Sequence, residues 1–278
     1  MNMDLNNQNK MQMFRLMGEN TISFCIPIHG KKHQFIVGAG KRLLQVNWDM
    51  LTTMGQIMKV LCEVPVNGVR INQCKVDKMG RLFFGTMLSE EQGDFMNLQK
   101  RVGCLYRFTM TDGLVMLKDN VGMGNGIAWN NTWNKMFFVD SYDMNIYEFD
   151  FDLKTGNISN YKVFLDVSSL GQMKKVFPSA ITMDYDDHIF MAMFGGGKVV
   201  KINSKTKKIE GEIMMNMVQQ VTGVEFGGHD FEMMFVTTAG MEMLGAGHEN
   251  TQVYPTGFLM NVMNVGCKGV LMHKFMSN

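Results

Sequence analysis

The residues of this 278-residue chain whose types and spacing could do chemistry are a glycine run ending in an amide, a knot of carboxylates, and scattered histidines and cysteines. The run "VGMGNGIAWN", Val121 to Asn130, packs three glycines into five positions. A phosphate cradle needs glycines that leave a strand and open a helix, because the helix N-terminus supplies the N–H groups and the positive dipole. Here Ile127, Ala128 and Trp129 lead into a polar turn, "NNTWNK", and then into "MFFVD", whose aromatic and β-branched residues read as a strand. Gly122, Gly124 and Gly126 therefore precede a hairpin, and a glycine-permitted turn at a sheet edge is expected instead of a nucleotide site. Asp184, Asp186 and Asp187 lack the glycine and distal glutamate of a calcium loop, and read as a hairpin turn whose aspartates bond their own backbone. His29, His33, His188, His229, His248 and His273 contain no pair at ligand spacing and read as loop residues. Cys25, Cys62, Cys74, Cys104 and Cys267 are odd in number and show no CxxC, which points to reduced thiols. No GxSxG elbow, HExxH helix or Walker loop is present, and "GAGKR" at Gly38 lacks the spacing.

Composition narrows the partners. A net charge of +1 supplies no basic field for nucleic acid. The basic cluster Lys205 to Lys208 is short, flanked by turn residues, and expected at a hairpin tip. No stretch approaches the roughly 18 apolar residues of a membrane span, and the polar N-terminus has no apolar leader core. A cytoplasmic protein is the expectation. Methionine is in excess, 31 residues, with Met-x-Met spacings at Met1/Met3, Met11/Met13, Met191/Met193 and Met241/Met243. Thioethers are soft ligands for Cu(I). In "IFMAMF", however, period two places Met191 and Met193 on one strand face, as expected of a pliable core filler.

These residues must be positioned by strands. "INQCKVDKMGRLFFGTM", "GNGIAWNNTWNKMFFVDS", "PSAITMDYDDHIFMAMF" and "VTGVEFGGHDFEMMFVTTAG" each read as a short apolar strand, a polar turn and a second apolar strand. A further alternating pair often follows, which makes four strands per unit. Asn72, Asn125, Ser179 and Thr222 are equivalent positions of these units, recurring every 43 to 54 residues. No long segment of 3.6 period with caps is present; "EEQGDFMNLQKRV" alone could hold a helical turn. The expected architecture is an all-β propeller, whose blades bring the ends of their innermost strands together around a channel.

The repeat units carry a resemblance. "CKVDKMGRLFFGTM" resembles a "GKxDxxGRLWxGTM" unit, and the segment from Gly124 to Asn160 resembles "SNGLAWSxDxKxxYxxDSxxxxVxxFDYDxxTGxISN". Both belong to the family of regucalcin (senescence marker protein), bacterial gluconolactonases and insect luciferin-regenerating enzymes. The resemblance runs from about Thr21 to near the C-terminus. It implies a six-bladed propeller that hydrolyses sugar lactones with one divalent cation (Ca²⁺, Zn²⁺, Mn²⁺ or Mg²⁺) at the channel mouth, polarising the lactone carbonyl while a carboxylate takes a proton from water. By position, Asn125 matches the family's amide metal ligand, and Arg70 with Asn72 matches its substrate-binding pair. On spacing alone Arg70 reads as a surface cation at a strand end.

The departures are specific. Where the family has "PDG" the chain has "PSA", so Ser179 stands at the position of the aspartate ligand and base. A neutral hydroxyl is a weak ligand for a hard cation and takes no proton from water at neutral pH. Gln73 and Cys74 replace an Asp-Gly pair. The first blade, which carries the family's glutamate ligand, is mostly missing, and Glu19 falls in a blade-linking position instead. Residues 1–20 are expected as a polar, poorly ordered segment and 21–278 as one propeller domain. Two of three ligands being absent, an impaired calcium-binding or interaction protein is the alternative to a lactonase.

Overall fold

The computed structural model describes residues 2–3, 11–92, 101–171, 175–215, 218–240, 259–262 and 265–277. They fall into two compact units: 1–93, 100–121 and 273–278 form the first, and 94–99 with 122–272 the second. The span 21–278, expected as one domain, is thus shared between both.

In the first unit, β1 (Asn2–Met3) pairs with β2 (Met11–Gln12). A four-stranded antiparallel sheet follows in chain order: β3 (Ile22–Pro27), β4 (Gln34–Ala39), β5 (Arg42–Asn47) and β6 (Gln56–Glu63). Next comes a second such sheet of β7 (Val69–Val76), β8 (Leu82–Leu88), β9 (Gly103–Thr109) and β10 (Gly113–Val121). The second unit repeats the plan with β11 (Gly124–Trp129), β12 (Lys135–Asp140), β13 (Asn145–Asp152) and β14 (Asn157–Asp166), then β15 (Phe177–Met183), β16 (His188–Phe194), β17 (Lys198–Asn203) and β18 (Ile209–Met214). Three more strands, β19 (Gln220–Gly227), β20 (Met233–Ala239) and β21 (Leu259–Val262), join β15–β18 in one seven-stranded sheet through the pairing of β16 with β19. This is the expected all-β, propeller-type fold, a succession of meandering blades that lacks part of one. No helix among the described residues is long and apolar enough to cross a membrane.

Burial explains why the strands were written as they are. Strands β8 and β12 are almost continuously apolar and buried, and β11 is buried throughout despite Asn125, whereas the outermost strands β6, β14 and β18 are largely exposed or alternate. In the first unit a single apolar cluster joins Ile36, Leu43, Ile71, Leu82 and Phe84, and the returning segment seals it with Phe275, whose carbonyl accepts from His29 N at 2.8 Å. In the second unit Phe137, Val139, Ile181 and Ile189 pack with Met191 and Met193, both fully buried. Those two thioethers fill core, not a metal site; Met241 and Met243 lie outside the described residues. Lys205 to Lys208 does form the tip between β17 and β18.

The N-terminal expectation needs correction in part. Leu16 is buried with Val37, Leu44 and Val46, Arg15 N donates to Thr53 O at 2.9 Å, and Gly55 N donates to Arg15 O at 3.0 Å. Leu16, with Phe14 packed on the same cluster and backbone bonds at Arg15, seats the segment on its sheet well before residue 21.

Candidate functional site

The turn before β11 is fixed by Asp140, at the end of β12. Its carboxylate accepts from Gly122 N at 2.8 Å and from Met123 N at 2.9 Å, and is buried. Gly122, Gly124 and Gly126 are not left-handed, contrary to the reason expected for them. At Gly126 smallness is what matters: a Cβ would stand 2.3 Å from Ile181 N and 2.7 Å from Ser179 O, so only glycine lets β11 lie against β15 there.

That approach brings Asn125 to Ser179. Both are 5% exposed. Asn125 Nδ2 donates to Ser141 Oγ at 3.0 Å, and Ser141 Oγ donates onward to Pro178 O at 2.6 Å. Ser179 Oγ lies 2.8 Å from Thr222 O and 3.4 Å from Asn125 Oδ1. A hydroxyl has one proton, so the shorter bond takes it and Asn125 Oδ1 keeps acceptor capacity. Ser179 acts here as a stitch between innermost strands. Ser23 does the same in the first unit, donating to Ile71 O at 2.6 Å across from β3 to β7.

Arg70 and Asn72 lie together on β7. Arg70 Nη1 donates to Asn72 Oδ1 at 2.9 Å and to Ile71 O at 3.1 Å. Its Nε donates to Glu90 at 2.7 Å, and Nη2 completes a two-pronged ion pair with the same carboxylate. Far from being a loose surface cation, the Arg70 side chain is 11% exposed and held on three sides. Glu90, at the start of the 3₁₀ turn Glu90–Gln92, was missed in the sequence. Partial burial raises its carboxyl, but the bonds and charge of Arg70 outweigh this and hold it below the usual carboxylate range. An acid directly after β8, in the same unit as Arg70, is the one signal that could have flagged it. Glu19 is engaged elsewhere, in an ion pair with Arg42.

Among the described residues, Asp184, Asp186 and His188 bring ligand atoms within 4.8 Å of one another. Their geometry is that of a hairpin turn found twice. Asp77 Oδ1 accepts from Met79 N and Arg81 N while Oδ2 accepts from Arg81 Nε at 2.7 Å. Asp184 Oδ1 accepts from Asp186 N and His188 N, and His188 Nδ1 stands 3.0 Å from Oδ2. Gly80 and Asp187, the third residues on, are both left-handed, a conformation Asp tolerates. His188 thus fills the place of Arg81, and Lys201 Nζ, 3.5 Å from Asp184, places a positive charge beside that carboxylate. The turn reading of "DYDD" stands on these bonds.

The family's divalent cation does not fit the donors around Asn125. Among the described residues, the polar side chains bonded to it are those of Ser141 and Ser179, both neutral, and the Ser179 hydroxyl is directed to a carbonyl. Dehydrating a doubly charged hard ion calls for carboxylates that this cluster does not contain.

Comparison with known proteins agrees with the fold and the repeat. The SMP-30/Gluconolactonase/LRE-like region matches residues 3–240. Regucalcin of Gallus gallus is 27% identical over 248 residues, 88% of this chain and 78% of its own length. The Bacillus subtilis (strain 168) protein YvrE, provisionally named a sugar lactone lactonase, is 32% identical over 176 residues, 63% of this chain and 56% of that protein. A solved luciferin-regenerating enzyme superposes with a TM-score of 0.80 at 25% identity, covering 92% of this chain and 81% of that one. With a match across most of its length, the chain belongs to the SMP-30/gluconolactonase/LRE-like family.

Proposed function

We propose that this chain acts on sugar lactones as a gluconolactonase-type hydrolase of reduced turnover. The reading is carried by the contact of Asn125 with Ser179, residues separated by 54 positions that the fold makes neighbours at the innermost strands. Arg70 and Asn72 are the substrate pair. The guanidinium, with its fork fixed by Glu90, donates to lactone oxygens, and the Asn72 amide donates and accepts. Asn125 Oδ1 accepts a hydroxyl or water proton. The position of the base is taken by the Ser179 hydroxyl, which does not remove a proton from water at pH 7, so ring opening lacks general-base assistance worth about 10²–10⁴ in rate. No step passes through a metal, since the donors present do not suit one.

A second reading, lactone binding with no turnover, is favoured by the same Ser179 bond to Thr222 O, which leaves the base position without a proton acceptor. Acid release from D-glucono-δ-lactone, followed by pH-stat with and without Mn²⁺, separates the two. The expected result is a slow rate above buffer, insensitive to Mn²⁺ and removed by Arg70→Met. A rate equal to buffer in every condition would leave binding alone.

A further inference from the structure

Gln220 begins β19 at 1% exposure, and among the described residues neither its amide nitrogen nor its amide oxygen has a hydrogen-bond partner. Buried amides are nearly always paired, and an apolar side chain of equal size would sit there at lower free energy. An unpaired amide at such a place calls for a reason.

Its position supplies one. Gln220 stands two residues before Thr222, whose carbonyl accepts from Ser179 Oγ at 2.8 Å. Two residues of strand span about 6–7 Å, the length of a six-membered sugar ring. In the repeat, where Thr222 is equivalent to Asn72, Gln220 is equivalent to Arg70. It is also a strand-end residue: Gln220 pairs with Phe194 of β16 in the single pair that joins β16 to β19, and with Ala239 at the end of β20.

We infer that Gln220 is a specificity-determining residue for the lactone, its amide left unpaired in the free chain so that ring hydroxyls entering at the strand end complete it. An amide offers two donors and one acceptor, and adjacent sugar hydroxyls offer both in return. The inference rests on the function proposed above and names the part of the substrate it reads, the hydroxyl-bearing ring and not the ester.

The test uses Gln220→Met, which keeps length and volume and removes both polar ends, with Gln220→Leu as a second variant. Melting temperature is measured on the free proteins, and calorimetric affinity on 1,5-anhydro-D-glucitol, a non-hydrolysable ring bearing the hydroxyls. The expected result is a melting temperature raised by about 2–4 °C together with an affinity about tenfold weaker than that of the unaltered protein. A lower melting temperature in both variants would mean that the amide is paired inside the protein, by a trapped water for example, and would overturn the inference. So would unchanged affinity. If the unaltered protein binds neither this ring nor the lactone, the proposed function itself falls; if it binds and the variants bind equally, only the role of Gln220 falls.

Discussion

A hydroxyl at position 179 changes what its neighbours can do. In place of a charge that would hold a cation and accept a proton, Ser179 gives a directed bond to Thr222 O and a long 3.4 Å contact to Asn125. Arg70 is the opposite case, a charge held in place. Its fork is set by Glu90, and loss of that carboxylate frees the guanidinium to wander. Glu90→Gln is expected to raise the lactone KM up to about fivefold with kcat little changed, the scale of a part-exposed ion pair. Because the folded-state pKa of Glu90 is depressed, the pairing is fully present above the ordinary value of 4.5 and lost as pH falls through the lower folded value. The KM of the unaltered protein should therefore rise at acid pH and that of Glu90→Gln should not, which a pH series of initial rates checks. Asn125, Ser179, Arg70 and Asn72 were singled out by the resemblance of their repeat units to the family, with Asn72, Asn125 and Ser179 at equivalent places of the repeat. Glu90 was not, since it lies in a turn whose only signature is two adjacent acids.

At the scale of elements, the site depends on two devices that hold β11 in position. Asp140 satisfies two buried N–H groups at once. Asp140→Ala strands both, at a cost of about 1–3 kcal/mol each, and thermal denaturation should show a clear drop; Asp140→Asn, which retains an acceptor, should lose less. The glycines are the second device, and here the sequence misled. A run of three suggested backbone freedom, yet at Gly126 the constraint is the distance to β15, which comes from another blade and is invisible in a local window, and at Gly122 it is the closeness of Tyr142 and Asp140. The strands were legible for a simpler reason: inner strands covered on both faces are almost uninterruptedly apolar, and the Asp or Asn that opens each hairpin turn recurs at Asp77, Asn130 and Asp184. His188, read from the sequence as a loop residue, needed coordinates to be seen as the stand-in for Arg81, because its bond to Asp184 is set by the turn's backbone geometry.

At the scale of the molecule, each unit has its own apolar core, one sealed by Phe275 and the other filled in part by methionines. The repeat announced a propeller-type chain, while the seating of Leu16 could not be foreseen from a stretch so polar. We propose that the chain nonetheless unfolds as one domain, so that scanning calorimetry gives a single transition whose van't Hoff and calorimetric enthalpies agree; two resolved transitions would contradict this. The central proposal, that a hydroxyl in place of a carboxylate at position 179 limits the rate of lactone opening, is tested most directly by the rate of Ser179→Asp on D-glucono-δ-lactone. A rise of about a hundredfold or more over the unaltered protein is expected from restoring a carboxylate beside Asn125. A folded variant no faster than the unaltered protein, or an unaltered protein already as fast as the variant, would contradict it.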